Sequence, residues 1–190
     1  WMLREGDDIR SNAAGDPLRI ELNTTAGDKT RELTAQVLQA QWRNVGVDIR
    51  IRNETPRVLF GQTLIERKFT GMVMFAWSMP PEPIPRATMH SSRIPGPDNN
   101  FSGQNYTGFA DPAVDVLIEE LEETLTLQER LPLWQKYQEI YVEEVAVLPL
   151  MFRANPFILP KWLKGVRPTG HFTQSTLWIE EWHREDSSAD

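Results

Sequence analysis

PLRIELNTTAGDKTRELTAQVLQAQWRNVGVDIRIRNE, residues 17–54, decides the fold. From Pro17 to Thr25, Leu18, Ile20 and Leu22 alternate with Arg19, Glu21 and Asn23, the period-two pattern of a half-buried strand. Ala26-Gly27-Asp28 turns the chain, and Asp28 or Thr30 can cap a helix by accepting from its first free N–H groups. Leu33, Val37, Leu38, Trp42 and Val45 follow at helical spacing, and Gly46 stops the helix where a left-handed residue is wanted. Val47, Ile49 and Ile51 then alternate with Asp48, Arg50 and Arg52, which predicts a second strand. Pro56 opens a second helix in its first turn, with Val58, Leu59, Leu64 and Ile65 as its apolar residues. Residues 69–77 are continuously apolar after Gly71 and predict a buried central strand. The order is β-α-β-α-β. Helices of this length between strands imply right-handed parallel crossovers in an open sheet.

Beyond this unit, residues 78–110 carry six prolines and read as a long loop, a length that usually marks function or disorder. Asp111-Pro112 is a cap followed by a first-turn proline, and Val114, Leu117, Ile118, Leu121 and Leu125 form an apolar stripe. Thr126-x-x-Glu129 is a capping box opening a helix to about Val145, with Pro132 as a candidate kink. Residues 147–153 and 156–159 read as strands, and the tail from Lys161 is irregular until Leu177. The expected fold is an open α/β lobe, its sheet mostly parallel or mixed and flanked by helices. Residues 1–16 are a polar lead-in segment, 17–163 the lobe, and 164–190 a crossover tail.

Composition narrows the function. The 190 residues are 40% hydrophobic and 25% charged, ordinary for a globular protein. No apolar run approaches the roughly 20 residues that cross a bilayer. Net charge is −7 with no Lys/Arg cluster, so no nucleic-acid interface is expected. With no cysteine, disulfides, thiolate metal sites and Cys nucleophiles are excluded together. The chain opens at Trp1 without a basic segment and apolar stretch, and it reads as the middle of a longer gene product without its signal peptide.

Motifs of chemistry are sparse. His90, His171 and His183 are far apart and in no metal-ligand spacing, so they read as exposed loop histidines and no metal or cofactor is expected. Nucleophile elbows and phosphate-binding or dinucleotide loops are absent from the sequence. Glu119-Glu120, Glu122-Glu123 and Glu143-Glu144 read as solvated helix faces. One feature rises above this background. A buried strand ends at Phe75-Ala76-Trp77 and runs into the Pro-rich loop, and ligands in open α/β sheets sit beyond the carboxyl ends of strands. Trp77 there reads either as a stacking face for a ligand or as a core side chain closing the sheet edge.

The ordered set of segments Gly27-Asp28-Lys29-Thr30-Arg31-Glu32, Gly46-Val47-Asp48-Ile49, Phe75-Ala76-Trp77, Ser102-Gly103-Gln104-Asn105-Tyr106-Thr107-Gly108-Phe109 and Asp111-Pro112-Ala113-Val114-Asp115 resembles a known family. Residues 147–153 and Leu163-Lys164-Gly165-Val166 continue the likeness. The family is the peptide/nickel class of solute-binding proteins of ABC importers, and the match is to its second lobe. The resemblance implies a periplasmic or extracytoplasmic protein, not an enzyme. It implies capture of a peptide or peptide-like solute between this lobe and a first lobe, then delivery to permease subunits. Trp77, Ser78, Met79, Glu82 and Arg86 become the ligand-binding candidates. Peptide-binding members often place an Asp after the matching Trp to hold the ligand's amino group, and Pro80 falls there in this chain. Glu82 substitutes for that Asp only if the loop is displaced, and Arg86 reads either as a partner for a ligand carboxylate or as a solvated loop side chain. Two other classes remain: a stand-alone interaction or sensor domain, or a hydrolase using Glu82 or Asp98 with His90.

Overall fold

The computed structural model describes residues 1–78, 83–153, 156–169 and 176–185. Three strands form a parallel sheet: β1 (Arg19–Thr25), β2 (Asp48–Glu54) and β3 (Met72–Met74), in the order β2-β1-β3. The expected β-α-β-α-β unit is present. Helix α1 (Lys29–Arg43) crosses from β1 to β2. Helix α2 (Pro56–Val58), continued by a π-helical turn over Leu59–Thr63, leads from β2 to β3.

The middle of the sheet belongs to β1, which corrects the expectation for residues 69–77. β1 pairs with β2 along seven residues and with β3 along three. Flanked on both sides, its Leu22, Asn23, Thr24 and Thr25 are all nearly inaccessible. Pairing satisfies the backbone, and Thr24 Oγ1 donates to the Met74 carbonyl at 2.9 Å. β3 is short, half-buried and at the edge of the described sheet. Gly71 admits it: a Cβ there would lie 2.2 Å from the Glu21 carbonyl oxygen.

The apolar stripe of α1 also needs correction. Ala35 is fully buried and packs with Leu22 and Ile49, joined by Leu38 and Trp42. Leu33, Val37 and Val45 are more than half exposed. At about 100° per residue, Leu33 and Val37 fall on the side of the helix opposite Ala35. A small side chain lets the helix approach the sheet closely, which a count of large apolar residues misses.

Asp28 caps α1 as expected, accepting from the Arg31 N–H at 3.2 Å. It also pairs with the Arg31 and Arg153 guanidinium groups at 3.4 and 3.5 Å. The Arg31 N–H first, then the two cations, hold its carboxyl below the ordinary aspartate value. Replacing Asp28 with Ala is expected to cost about 1 kcal/mol at neutral pH. A depressed folded-state value means that this contribution exists above the unfolded value and disappears as pH falls through the folded one. The wild-type advantage should therefore shrink below about pH 4, a trend that urea titrations of both proteins at several pH values will measure.

The second half is helical. Residues 83–110 are not structureless, because they contain α3 (Arg86–Met89) and 3-10 turns at Ser91–Arg93 and Pro97–Asn99. Helices α4 (Pro112–Glu123) and α5 (Leu127–Glu144) pack on α3 around Met89, Val114, Leu117, Ile118 and Tyr137. Asp111 and Thr126 cap them as expected. The helix α5 continues through Pro132, which leaves the Gln128 carbonyl without its i+4 amide donor. Leu125, placed in the α4 stripe by spacing, lies beyond the helix end and is 91% exposed.

Neither described part of the strands expected at 147–153 and 156–159 is a strand. Leu148, Met151, Phe152 and Ile158 are exposed there, and no neighbouring strand pairs with their backbone among the described residues. β4 (Leu163–Lys164) pairs antiparallel with β5 (His183–Arg184), so the boundary drawn after residue 163 falls inside a strand. His171 lies outside the described residues.

Candidate functional site

The order β2-β1-β3 creates a topological switch. The chain leaves β1 toward one side of the sheet and β3 flanks β1 on the other, so the connections diverge beyond the carboxyl ends of β1 and β3. Ligands of open parallel sheets sit at such points. Phe75 and Trp77 follow β3 directly into this region.

Trp77 is 41% exposed, so it does not close the interior. Its ring stacks on Tyr106, with centroids 6.1 Å apart and planes 6° from parallel. Phe75 meets Trp77 edge-on at 5.3 Å and Tyr106 at 6.3 Å. Phe60, from the π-helical turn, meets Phe75 at 5.8 Å. Four aromatic rings from three separate segments thus form one platform at the strand ends. Edge-to-face and offset-stacked pairs are the arrangements ring quadrupoles favour. Burial pushes the Tyr106 hydroxyl above its ordinary ionisation range, so the platform carries no charge near neutral pH.

The loop that carries Tyr106 is tightly held. Asn105 is fully buried, and its Nδ2 donates to the carbonyls of His90 and Phe109 at 3.1 and 2.8 Å. Thr107 Oγ1 donates to Asn105 Oδ1 at 3.0 Å. Sequence reading quoted Tyr106 and Phe75 without placing them in the site, and it missed Phe60 altogether. Their only local signal is an aromatic ring beside a turn. The fold brings residues 60, 75 and 106 together.

The other candidates fare differently. Ser78 is exposed beside Trp77, while Met79 and Glu82 lie outside the described residues. Arg86 is turned to α4: its Nε donates to both oxygens of Glu122 at 2.7 and 2.8 Å, and Glu119 lies 3.8 Å from Nη2. That hydrogen-bonded pairing raises the Arg86 value and lowers that of Glu122. A ligand carboxylate would have to displace Glu122 to reach it.

His90 departs from expectation as well, since it is buried rather than exposed. Its Nδ1 accepts from the Ser92 N–H at 3.1 Å, which leaves the ring proton on Nε2, facing Glu119 at 3.4 Å. The ring caps the turn at Ser91–Arg93. Asp98 lines an open hollow shared with Arg67, Ser92 and Phe101. Among the described residues no three His, Asp or Glu side chains gather to hold a metal ion, and no helix is long and apolar enough to cross a membrane.

An uncharged aromatic face lies at the switch point of an open parallel lobe. Known proteins share sequence and fold with this chain. The chain is 30% identical over 154 residues to the nickel-binding periplasmic protein of Escherichia coli, covering 80% of this chain and 28% of that protein. It is 25% identical to the oligopeptide-binding protein AppA of Bacillus subtilis, covering 96% of this chain and 32% of that one. The crystal structure of an oligopeptide-binding protein from Thermus thermophilus, complexed with a pentapeptide, superposes with a TM-score of 0.74 at 30% identity. That match covers 86% of this chain and 29% of that one. No family profile matches the chain. The chain is homologous to part of the peptide- and nickel-class solute-binding proteins, as the sequence resemblance implied, and it spans about three tenths of the length of these relatives.

Proposed function

We propose that this chain is the ligand-facing lobe of an ABC importer's solute-binding protein, working outside the cytoplasm. It captures a peptide or peptide-like solute against Trp77 and hands it to permease subunits. Catalysis plays no part in this reading. The single observation that supports it is the exposed Trp77 face at the switch point, in a chain whose relatives bind peptide or nickel. Ser78 completes the proposed contact set from the described residues, and Met79 and Glu82, which follow it in sequence, are proposed to extend it. Closure follows from linkage: a ligand touching this lobe and a second one stabilises the closed arrangement by its differential affinity for it.

The test is mass spectrometry of small molecules that co-purify with the full-length protein, followed by calorimetric titration of whatever is found. Stoichiometric recovery of a peptide or peptide-like compound, bound without chemical change, is expected. Recovery of a processed product, or turnover of the compound by the pure protein, overturns the reading.

A further inference from the structure

Arg67 lies four residues past the π-helical turn that carries Phe60 and is left-handed, with φ at 51°. A residue with a Cβ pays roughly 1 kcal/mol or more for that backbone region. Its amide is fixed by a hydrogen bond to the Leu64 carbonyl at 3.0 Å, and Leu64 itself is buried. From this anchored point the side chain spans to the 105–108 loop. Nε donates to the Tyr106 carbonyl at 3.1 Å and Nη2 to the Thr107 carbonyl at 3.3 Å. Bonds from a guanidinium are charge-assisted, stronger than their neutral counterparts and fixed in direction by the planar fork. Among the described residues no carboxylate forms an ion pair with Arg67, so its donors are available to these two carbonyls. Gly108 completes the contact. A Cβ there would lie 2.0 Å from Arg67 Nη2, so the guanidinium occupies space that only glycine leaves open.

We propose that Arg67 is a positioning residue for the binding face, holding Tyr106 flat against Trp77 so that the platform exists before ligand arrives. The proposal rests on the reading of that platform as the ligand contact. Arg67 touches no ligand itself. It acts by joining the segment of Phe60 to the loop of Tyr106, so two walls of the platform keep one spacing. The base of the loop does not depend on it, because Asn105 is held separately by His90 and Phe109. A role in the platform is therefore separable from a role in folding. Preorganisation of this kind lowers the ordering cost that binding must otherwise meet.

The experiment uses the full-length protein labelled with 5-fluorotryptophan, without ligand. The Trp77 resonance is assigned by its loss in Trp77→Phe, and Tyr106→Ala marks the position of an unstacked indole. Arg67→Met is expected to move the Trp77 resonance at least half of that distance. The resonances of the other tryptophans and the urea midpoint should stay near wild type. Arg67→Lys, which keeps the charge on a single donor nitrogen, should recover part of the shift. Gly108→Ala should move the resonance in the wild-type background and less in Arg67→Met, where the clashing group is gone.

A Trp77 resonance unmoved in Arg67→Met but moved in Tyr106→Ala overturns the proposal. So does a shift of every tryptophan resonance with a falling midpoint, which assigns Arg67 to general folding. A resonance unmoved even in Tyr106→Ala overturns it as well, because the stack is then absent. No step requires a ligand, so failure of the binding reading is seen separately, in the calorimetry.

Discussion

Trp77→Ala is expected to weaken ligand binding by the full-length protein about 30-fold, or roughly 2 kcal/mol, the loss typical of a buried aromatic anchor in a binding interface. The argument starts from its surroundings. Trp77 is 41% exposed but rests on Tyr106 and Phe75, so the indole is held in one orientation with a face left for a partner. A ligand that covers this face removes apolar area from water without first having to order the ring. Trp77→Phe retains a flat ring and should lose much less. Stability should barely register the exposed part of the change, which separates a binding role from a packing one. Calorimetric titration with the co-purifying compound checks this. An affinity within two-fold of wild type for Trp77→Ala would sink the assignment of the platform.

Ile118→Ala should have the opposite signature, a large loss of stability with the platform left in place. Ile118 is fully buried on α4, between Met89 of α3 and Tyr137 of α5. Three helices converge on it, so the surrounding atoms have little freedom to collapse into the space. The expected loss is about 3–4 kcal/mol, combining lost transfer energy with an unfilled cavity. Urea unfolding followed by tryptophan emission should show a lower midpoint at an unchanged slope. Its affinity for ligand, measured where the variant is still folded, should remain within a few-fold of wild type, because none of the platform rings belongs to that core cluster. A cost below about 1 kcal/mol would mean that the cluster repacks freely.

Both expectations draw on different parts of what could be read from the residues alone. Alternation over residues 17–25 and 47–52 located β1 and β2, and Asp28, Asp111 and Thr126 marked the caps that the structure confirms. Trp77 stands out as a candidate because a strand runs straight into a proline-rich stretch. The weaker readings share one cause. Apolar content reports the desire for burial but not the partner that supplies it. Residues 69–77 are as apolar as a central strand, yet only Met72–Met74 pair, and Phe75 and Trp77 turn to an aromatic cluster instead. Leu33 and Val37 look like core and lie outside, while Ala35 occupies the contact. Residues 147–153 are apolar enough for a strand, yet among the described residues no adjacent strand receives their hydrogen bonds.

Local order in this protein was therefore legible from its residues: period-two and helical patterns, capping side chains, and the glycines and prolines that divide them. These depend on neighbours within a few positions, which any reader of the chain can see. The sheet order β2-β1-β3, the burial of His90, the engagement of Arg86 by Glu122 and the meeting of Phe60, Phe75, Trp77 and Tyr106 were settled by the folded arrangement. Each joins residues separated by tens of positions. Such contacts follow from how helices and strands pack against one another in space, and no pattern along the chain encodes that distance.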